Sequence, residues 1–228
     1  VGAYENLGCP WSEHVAMARA DPGENRCLDL ARRHFPATLG AVPPRLISVF
    51  DTSPNESSFV SREKLAGFLE GVLRMMEEDP SSGYLFKMKT PWEEIARDFP
   101  DLAPLYERIR ASPRCLLLEA LSSEVSEAIA ISDLVVSACF TSPTIEALGA
   151  RQKAIYYDAD GSFRGCYYDR FPRLVAHGYG ELREIVDYWL TAATREDLDR
   201  FLDTQVRGEL DAFVDGKGIT RFRAMLLA

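Results

Sequence analysis

The sequence predicts an α/β fold: a Rossmann-like, doubly wound parallel sheet with helices on both faces. Three observations carry this. Short, wholly apolar runs rich in β-formers recur along the chain, as expected of strands buried on both faces. Helical patterns stand between them, so strand and helix alternate through the middle of the sequence. Residues 133–158 then show the unit in full: an apolar run over 133–140, a helix start at Thr141-Ser-Pro-Thr144, a stop at Gly149, and a second apolar run over 154–157 closed by Asp158. Ser142 is placed to cap that helix, and Pro143 suits its first position, where a missing N–H costs nothing. A helix N-terminus at the carboxyl end of a buried strand presents free N–H groups and a positive dipole end. Open α/β sheets bind phosphates there.

Taken in order, residues 1–44 read as an inter-domain segment and lead-in helix, punctuated by Gly2, Gly8, Pro10, Pro22, Gly23, Pro43 and Pro44. Helical patterns fall at 12–19 and 24–34. The Rossmann-like domain is expected over 45–228. Its first strand, 45–50, ends in a small polar loop from Asp51 to Asn55. Over 63–78, Leu65, Phe68, Leu69, Val72, Leu73 and Met76 have the spacing of an amphipathic helix. A break at 79–83 precedes the second strand, 84–89. Helical patterns at 92–99 and 105–111 lead to the third strand, 115–119, after which Ser122 or Ser123 can cap a helix over 124–131. Residues 133–158 supply strands four and five. A Gly- and aromatic-rich loop (160–168) and a short apolar segment (174–176) follow. Three helices close the chain: one turning Leu182, Ile185, Val186 and Trp189 inward, one opened by a Thr194/Asp197 capping box, and one over 219–227. Five or six strands are expected.

Composition excludes several classes. The net charge of −9 argues against an extended nucleic-acid surface, which needs an excess of Lys and Arg. No apolar stretch approaches the roughly eighteen residues of a membrane span. Five cysteines, odd in number and without C-x-x-C, read as reduced thiols of a cytoplasmic protein; membrane association of a full-length protein stays open. The chain opens on Val1 without an initiator Met and is expected to be part of a longer protein. No G-x-G-x-x-G follows the first strand, and neither a Walker lysine motif nor a G-x-S-x-G elbow is present. His14, His34 and His177 are scattered without metal-ligand spacing, so no metal is expected.

The chemistry that remains collects along one sheet edge. Asp51, Thr52 and Ser53 follow strand one, Lys87 and Lys89 lie in strand two, and Glu119 ends strand three. Ser142, Thr144 and Glu146 follow strand four, and Asp158 follows strand five. Two lysines on one strand face beside a helix N-terminus make a diphosphate cradle. Glu146, one helical turn in, can accept hydrogen bonds from both hydroxyls of a ribose. Each residue has a plainer role open to it: Ser142-Pro143 as a helix start, the lysines as solvated strand residues, Glu146 as a partner of the helix dipole. Convergence at one edge favours the ligand reading.

Residues 84–91, 130–137, 142–148 and 154–158 together resemble the donor half of GT-B glycosyltransferases, in particular bacterial surface-polysaccharide enzymes of the glycerophosphotransferase and capsule-transferase kind. The resemblance runs from about Arg45 to the C-terminus, includes the pair Asp215-Gly216, and rests on the order and spacing of short motifs. It implies a nucleotide-activated sugar or glycerol as donor substrate, with no bound cofactor. It implies phosphate contacts from Lys87, Lys89, Ser142 and Thr144, ribose contacts from Glu146, and a base edge read by the backbone of 118–122. The acceptor, and commonly the catalytic base, belong in such enzymes to a separate N-terminal half, for which there is no room before Arg45. Two departures stand out: Lys89 or Thr90 occupies the place of the family's phosphate-contacting histidine, and Arg151-Gln-Lys153 replaces the usual Gly and Pro. Donor binding without turnover by the isolated domain is the expectation. A nucleotide-sugar epimerase domain, and a catalytically silent binding or scaffold module, remain alternatives.

Overall fold

The computed structural model describes residues 6–54 and 60–227. Gly2 and Asn55, read above as punctuation and loop, lie outside the described residues. Six strands form one sheet: β1 (Arg45–Phe50), β2 (Ser82–Lys87), β3 (Cys115–Leu118), β4 (Leu134–Ala138), β5 (Ala154–Asp158) and β6 (Val175–His177). Their order is β3-β2-β1-β4-β5-β6, and every pairing is parallel. The direction of winding reverses between β1 and β4, which is where such sheets leave a crevice at their carboxyl edge. Register brings Phe50 level with Lys87 on one side and Ser137 on the other, so the residues just beyond them leave the sheet together. The sixth strand grows from the short apolar segment at 174–176, too brief to be told from a loop by pattern alone.

Ten α-helices are described: α1 (Trp11–Ala20), α2 (Arg26–Leu39), α3 (Arg62–Glu78), α4 (Trp92–Asp98), α5 (Ala103–Ala111), α6 (Val125–Ala130), α7 (Ser142–Gly149), α8 (Gly178–Asp187), α9 (Arg195–Phe201) and α10 (Gly218–Leu226). α3 packs against β2, β5 and α5, burying the apolar stripe its spacing predicted. α6 and α7 pack against each other, α6 against β2 and α7 against β4 and β5. Leu182, Ile185, Val186 and Trp189 are buried as expected, and the Thr194/Asp197 capping box is formed.

The N-terminal residues are part of this packing. Val15, Cys27, Ala31 and Phe35 join the core, α2 lies on β3 and α6, and α1 crosses α6 and α7. At that crossing Gly149 is required for close approach, because a Cβ there would sit 2.1 Å from Ser12 Oγ. The backbone takes its left-handed turn two residues later, at Arg151 (φ 59°). The chain ends meet over α1: Asp211 accepts the Cys9 N–H (2.7 Å), Glu13 accepts the Thr220 N–H (2.8 Å), and Arg221 donates to the Leu7 carbonyl (3.2 Å).

Three local readings shift. Thr141, one residue before Ser142, is the N-cap of α7. Glu124, whose N–H is accepted by Glu127, opens α6 in place of Ser122 or Ser123. The second strand ends at Lys87, two residues early.

Candidate functional site

At the carboxyl edge, where the winding reverses, a cleft of about 500 Å³ opens over β1, β2 and β4. β1 and the loop beyond it contribute Phe50, Asp51 and Thr52; β2 and its continuation contribute Lys87, Met88 and Lys89. The turn after β3 supplies Ala120, Leu121, Ser123 and Glu124, and the start of α7 supplies Thr141, Ser142 and Pro143.

Because β2 stops at Lys87, the two lysines do not share a strand face. Lys87 is buried, and its ammonium donates to the carbonyls of Glu119 (2.7 Å) and Ala120 (2.5 Å). Burial lowers its pKa, against the pull of Cys27, Asp51, Glu124 and Glu119. Its charge thus fixes the turn after β3. Lys89 lies beyond the strand and is exposed, and its ammonium has no partner among the described residues.

Asp51 is buried on the cleft floor. Its carboxylate accepts the Lys89 N–H at 2.5 Å and the Tyr106 hydroxyl at 2.6 Å. Burial pushes its pKa up to about 7, against those two hydrogen bonds and the charges of Lys87 and Lys89. Ser53 accepts the Thr90 hydroxyl (2.9 Å), tying the loops after β1 and β2, but is not part of the cleft lining. The Glu119 carboxylate also lies outside that lining, paired with Arg110 at 2.7 Å.

The start of α7 is open. Thr141 turns its hydroxyl back to the Ala138 carbonyl (2.8 Å), and no side chain among the described residues caps the helix. The first-turn N–H groups of a helix have no partner within it, and they carry the positive end of its dipole. Ser142 lines the cleft here. Thr144 does not: it is fully buried and its hydroxyl donates to the Ile155 carbonyl (3.2 Å), leaving only its main-chain N–H at the helix start. Glu146 is also outside the lining. Burial raises the pKa of its carboxyl, while a hydrogen bond with Ser142 and the nearby His14 of α1 lower it.

Asp158 belongs to the other end of the edge. His177, closing β6, places Nδ1 at 2.7 Å from Asp158 and Nε2 at 2.6 Å from Asp169. In its cationic form the ring donates from both nitrogens, one to each carboxylate. Burial alone would lower the imidazole pKa; the two carboxylates outweigh it and raise it. Above this cluster Phe140 stacks on Tyr168 (4.6 Å) and meets Phe163 edge-on (5.1 Å), so the residues after β5 fold over the strand ends. The structure therefore gathers Asp51, Thr52, Lys87, Lys89 and Ser142 at one cleft, and sets Asp158 and the hydroxyl of Thr144 apart from it. Sequence reasoning missed Tyr106, Leu121 and His177. Tyr106 reads as ordinary core in a helical pattern, and His177 stands 19 and 8 residues from its partners, with no local motif to announce them.

A six-stranded parallel sheet in this order, with a helix N-terminus at the switch point, is a Rossmann-like doubly wound domain. Solved structures share the fold. UDP-GlcNAc 2-epimerase from Neisseria meningitidis bound to UDP-GlcNAc is 10% identical with a TM-score of 0.59, over 97% of this chain and 54% of that one. The wall teichoic acid polymerase TagF is 17% identical with a TM-score of 0.55, over 94% and 50%. The UDP-forming trehalose-phosphate synthase from Burkholderia xenovorans is 11% identical with a TM-score of 0.57, over 95% and 49%. The chain spans about half the length of these structures. The family is settled by sequence: the chain belongs to the polysaccharide biosynthesis PFTS motif proteins, whose model matches residues 2–186. Phe-Thr-Ser occurs once, at 140–142, where β4 passes into α7, with Cys139 before it. No curated protein matches the chain. Among the described residues no helix is long and apolar enough to cross a membrane, and no group of three His, Cys, Asp or Glu could hold a metal ion.

Proposed function

We propose that this chain is the donor-nucleotide-binding domain of a glycosyltransferase or glycerophosphotransferase of bacterial surface-polysaccharide synthesis. One observation carries the reading: the uncapped start of α7 and the exposed Lys89 border the same cleft at the switch point of the sheet. Helix-start N–H groups, a dipole and an exposed ammonium together suit a diphosphate. The same groups would stabilise charge on a departing nucleoside diphosphate as the donor group is transferred. Ser142 and the Thr144 N–H would hold the phosphates with Lys89. Lys87 would act indirectly, holding residues 118–122 where their backbone reads the base, with Leu121 as an apolar surface beside it. Glu146 would take the ribose. The acceptor and the catalytic base would come from a separate N-terminal half.

Calorimetry with CDP, CMP, UDP, GDP and ADP tests this. Binding by a diphosphate of one base, with a rise in melting temperature because the ligand meets only the folded state, is the expected result. Silence from every nucleotide overturns it. An epimerase reading finds less support, because no histidine is among the residues lining the cleft. A silent module would bind nucleotide equally well and show no transfer in the full-length protein.

A further inference from the structure

Two other buried carboxylates lie away from the cleft and are held by their own neighbours. Asp158 faces the His177 ring, and Asp211 accepts the main-chain N–H groups of Cys9, Phe213 and Val214 at 2.7–2.8 Å. Asp51 is different. It is 4% exposed, lies on the floor of the cleft, and makes no ion pair among the described residues. Of the nearby cations, Lys87 is committed to two carbonyls and Lys89 is exposed.

We propose that Asp51 takes up a proton when a diphosphate enters this cleft, so that anion binding and the neutralisation of one buried carboxyl are a single linked event. The inference rests on reading the cleft as a diphosphate site. An anion on Lys89 and the start of α7 adds like charge to the space that Asp51 already occupies, and like charges sharing a site raise the pKa of the weaker acid. The group is poised for this, since burial has already moved it to about 7. The titratable groups around it are Tyr106 from α5, Lys87 from β2, Lys89 from the loop beyond it, and Glu124 at the start of α6 across the cleft. Tyr106 stays protonated, its own pKa raised by burial and by Asp51. The neutral form fits where the ionised form sits. Oδ1 continues to accept the Lys89 N–H, while the proton goes on Oδ2, whose neighbour, the Tyr106 hydroxyl, can accept as well as donate. Asp51 thereby holds the main chain at Lys89 in both states and withdraws its charge when an anion arrives.

Calorimetric titration of the full chain with inorganic diphosphate and with the five nucleotides, in buffers of different ionisation enthalpy near pH 8, reads the protons exchanged. Wild type is expected to take up close to one proton per site more than Asp51→Asn does; the difference removes the protons that the ligand itself exchanges. Wild-type affinity should fall about tenfold per pH unit above 7, and that of Asp51→Asn should stay flat. Tyr106→Phe removes a bond that favours the charged carboxyl, so it should move the break in affinity to higher pH. Nucleotide binding with equal proton counts in wild type and Asp51→Asn overturns the linkage and leaves the nucleotide reading intact. Diphosphate binding with the expected uptake, but no nucleotide binding, keeps the linkage and overturns the nucleotide reading. Failure of every anion to bind overturns both.

Discussion

One sheet edge ends here in two ways. Over β1, β2 and β4 the strand ends leave a cleft, and among the described residues no side chain caps α7 and none pairs with the exposed Lys89. Over β5 and β6 the chain covers its own edge: Phe140, Phe163 and Tyr168 fill the space, His177 ties Asp158 to Asp169, and the His177 N–H ahead of α8 is accepted by Glu181 (2.9 Å). Both ends raise the same problem, because parallel strands and helix starts point polar groups outward together. The chain answers it internally at one end and leaves it unanswered at the other. An unanswered set of donors is what a bound anion completes.

The comparison breaks first at the closed end. His177→Ala leaves Asp158 buried without its counter-charge and should cost about 3–5 kcal/mol in urea unfolding. A loss below about 1 kcal/mol would mean that the cluster is not ionic. The pH profile comes next. The raised pKa of His177 gives stability fully present below the unfolded value of about 6.5 and lost as pH rises through the folded value. Asp51 acts in the same direction over a lower window: between about 4 and 7 the folded carboxyl keeps a proton that the unfolded chain has released, so stability falls with rising pH. Stability should therefore decline as pH rises above about 4 and on through the folded value of His177, Asp51→Asn removing the lower part of the slope and His177→Ala the upper. At the open end the effects fall on binding. Lys89→Ala should weaken nucleotide binding about tenfold, roughly 1.4 kcal/mol, while shifting unfolding by less than about 0.5 kcal/mol. Glu146→Gln is the finest cut: a loss of about threefold for nucleotides with inorganic diphosphate unaffected would mark a ribose contact. Equal binding by the variant would leave Glu146 as a packing residue between α7 and α1.

Much of the fold could be read ahead because the strands are buried on both faces and α3 and α8 bury one stripe each, and such elements write their environment into their spacing. β6 escaped because three residues are too few to show a period. Thr141 and Ser142 are equally good caps, and only backbone geometry chooses between them. The placing of the two lysines was half legible. Strand alternation put Lys87 and Lys89 on one face, yet the strand ends at Lys87, and the buried lysine finds two carbonyls that no pattern of side chains encodes. Glu119 and Asp158 were named for their position after a strand, which sets the edge they occupy but not which partner reaches them first. His177 looked isolated for the converse reason: its partners come from a loop whose path only the folded chain defines.

The seam where the two ends of the described chain meet has a consequence for how the molecule comes together. Contacts joining Cys9 to Asp211 and Glu13 to Thr220 span more than 200 residues, and closing so long a loop is a slow, late step of folding. α1 should accordingly be the last helix to dock and the first to leave. Its amides should exchange with solvent while those of β1 and β4 stay protected. Each such opening would bare the back of α7 at Gly149, on the side away from the cleft, where α1 packs against it.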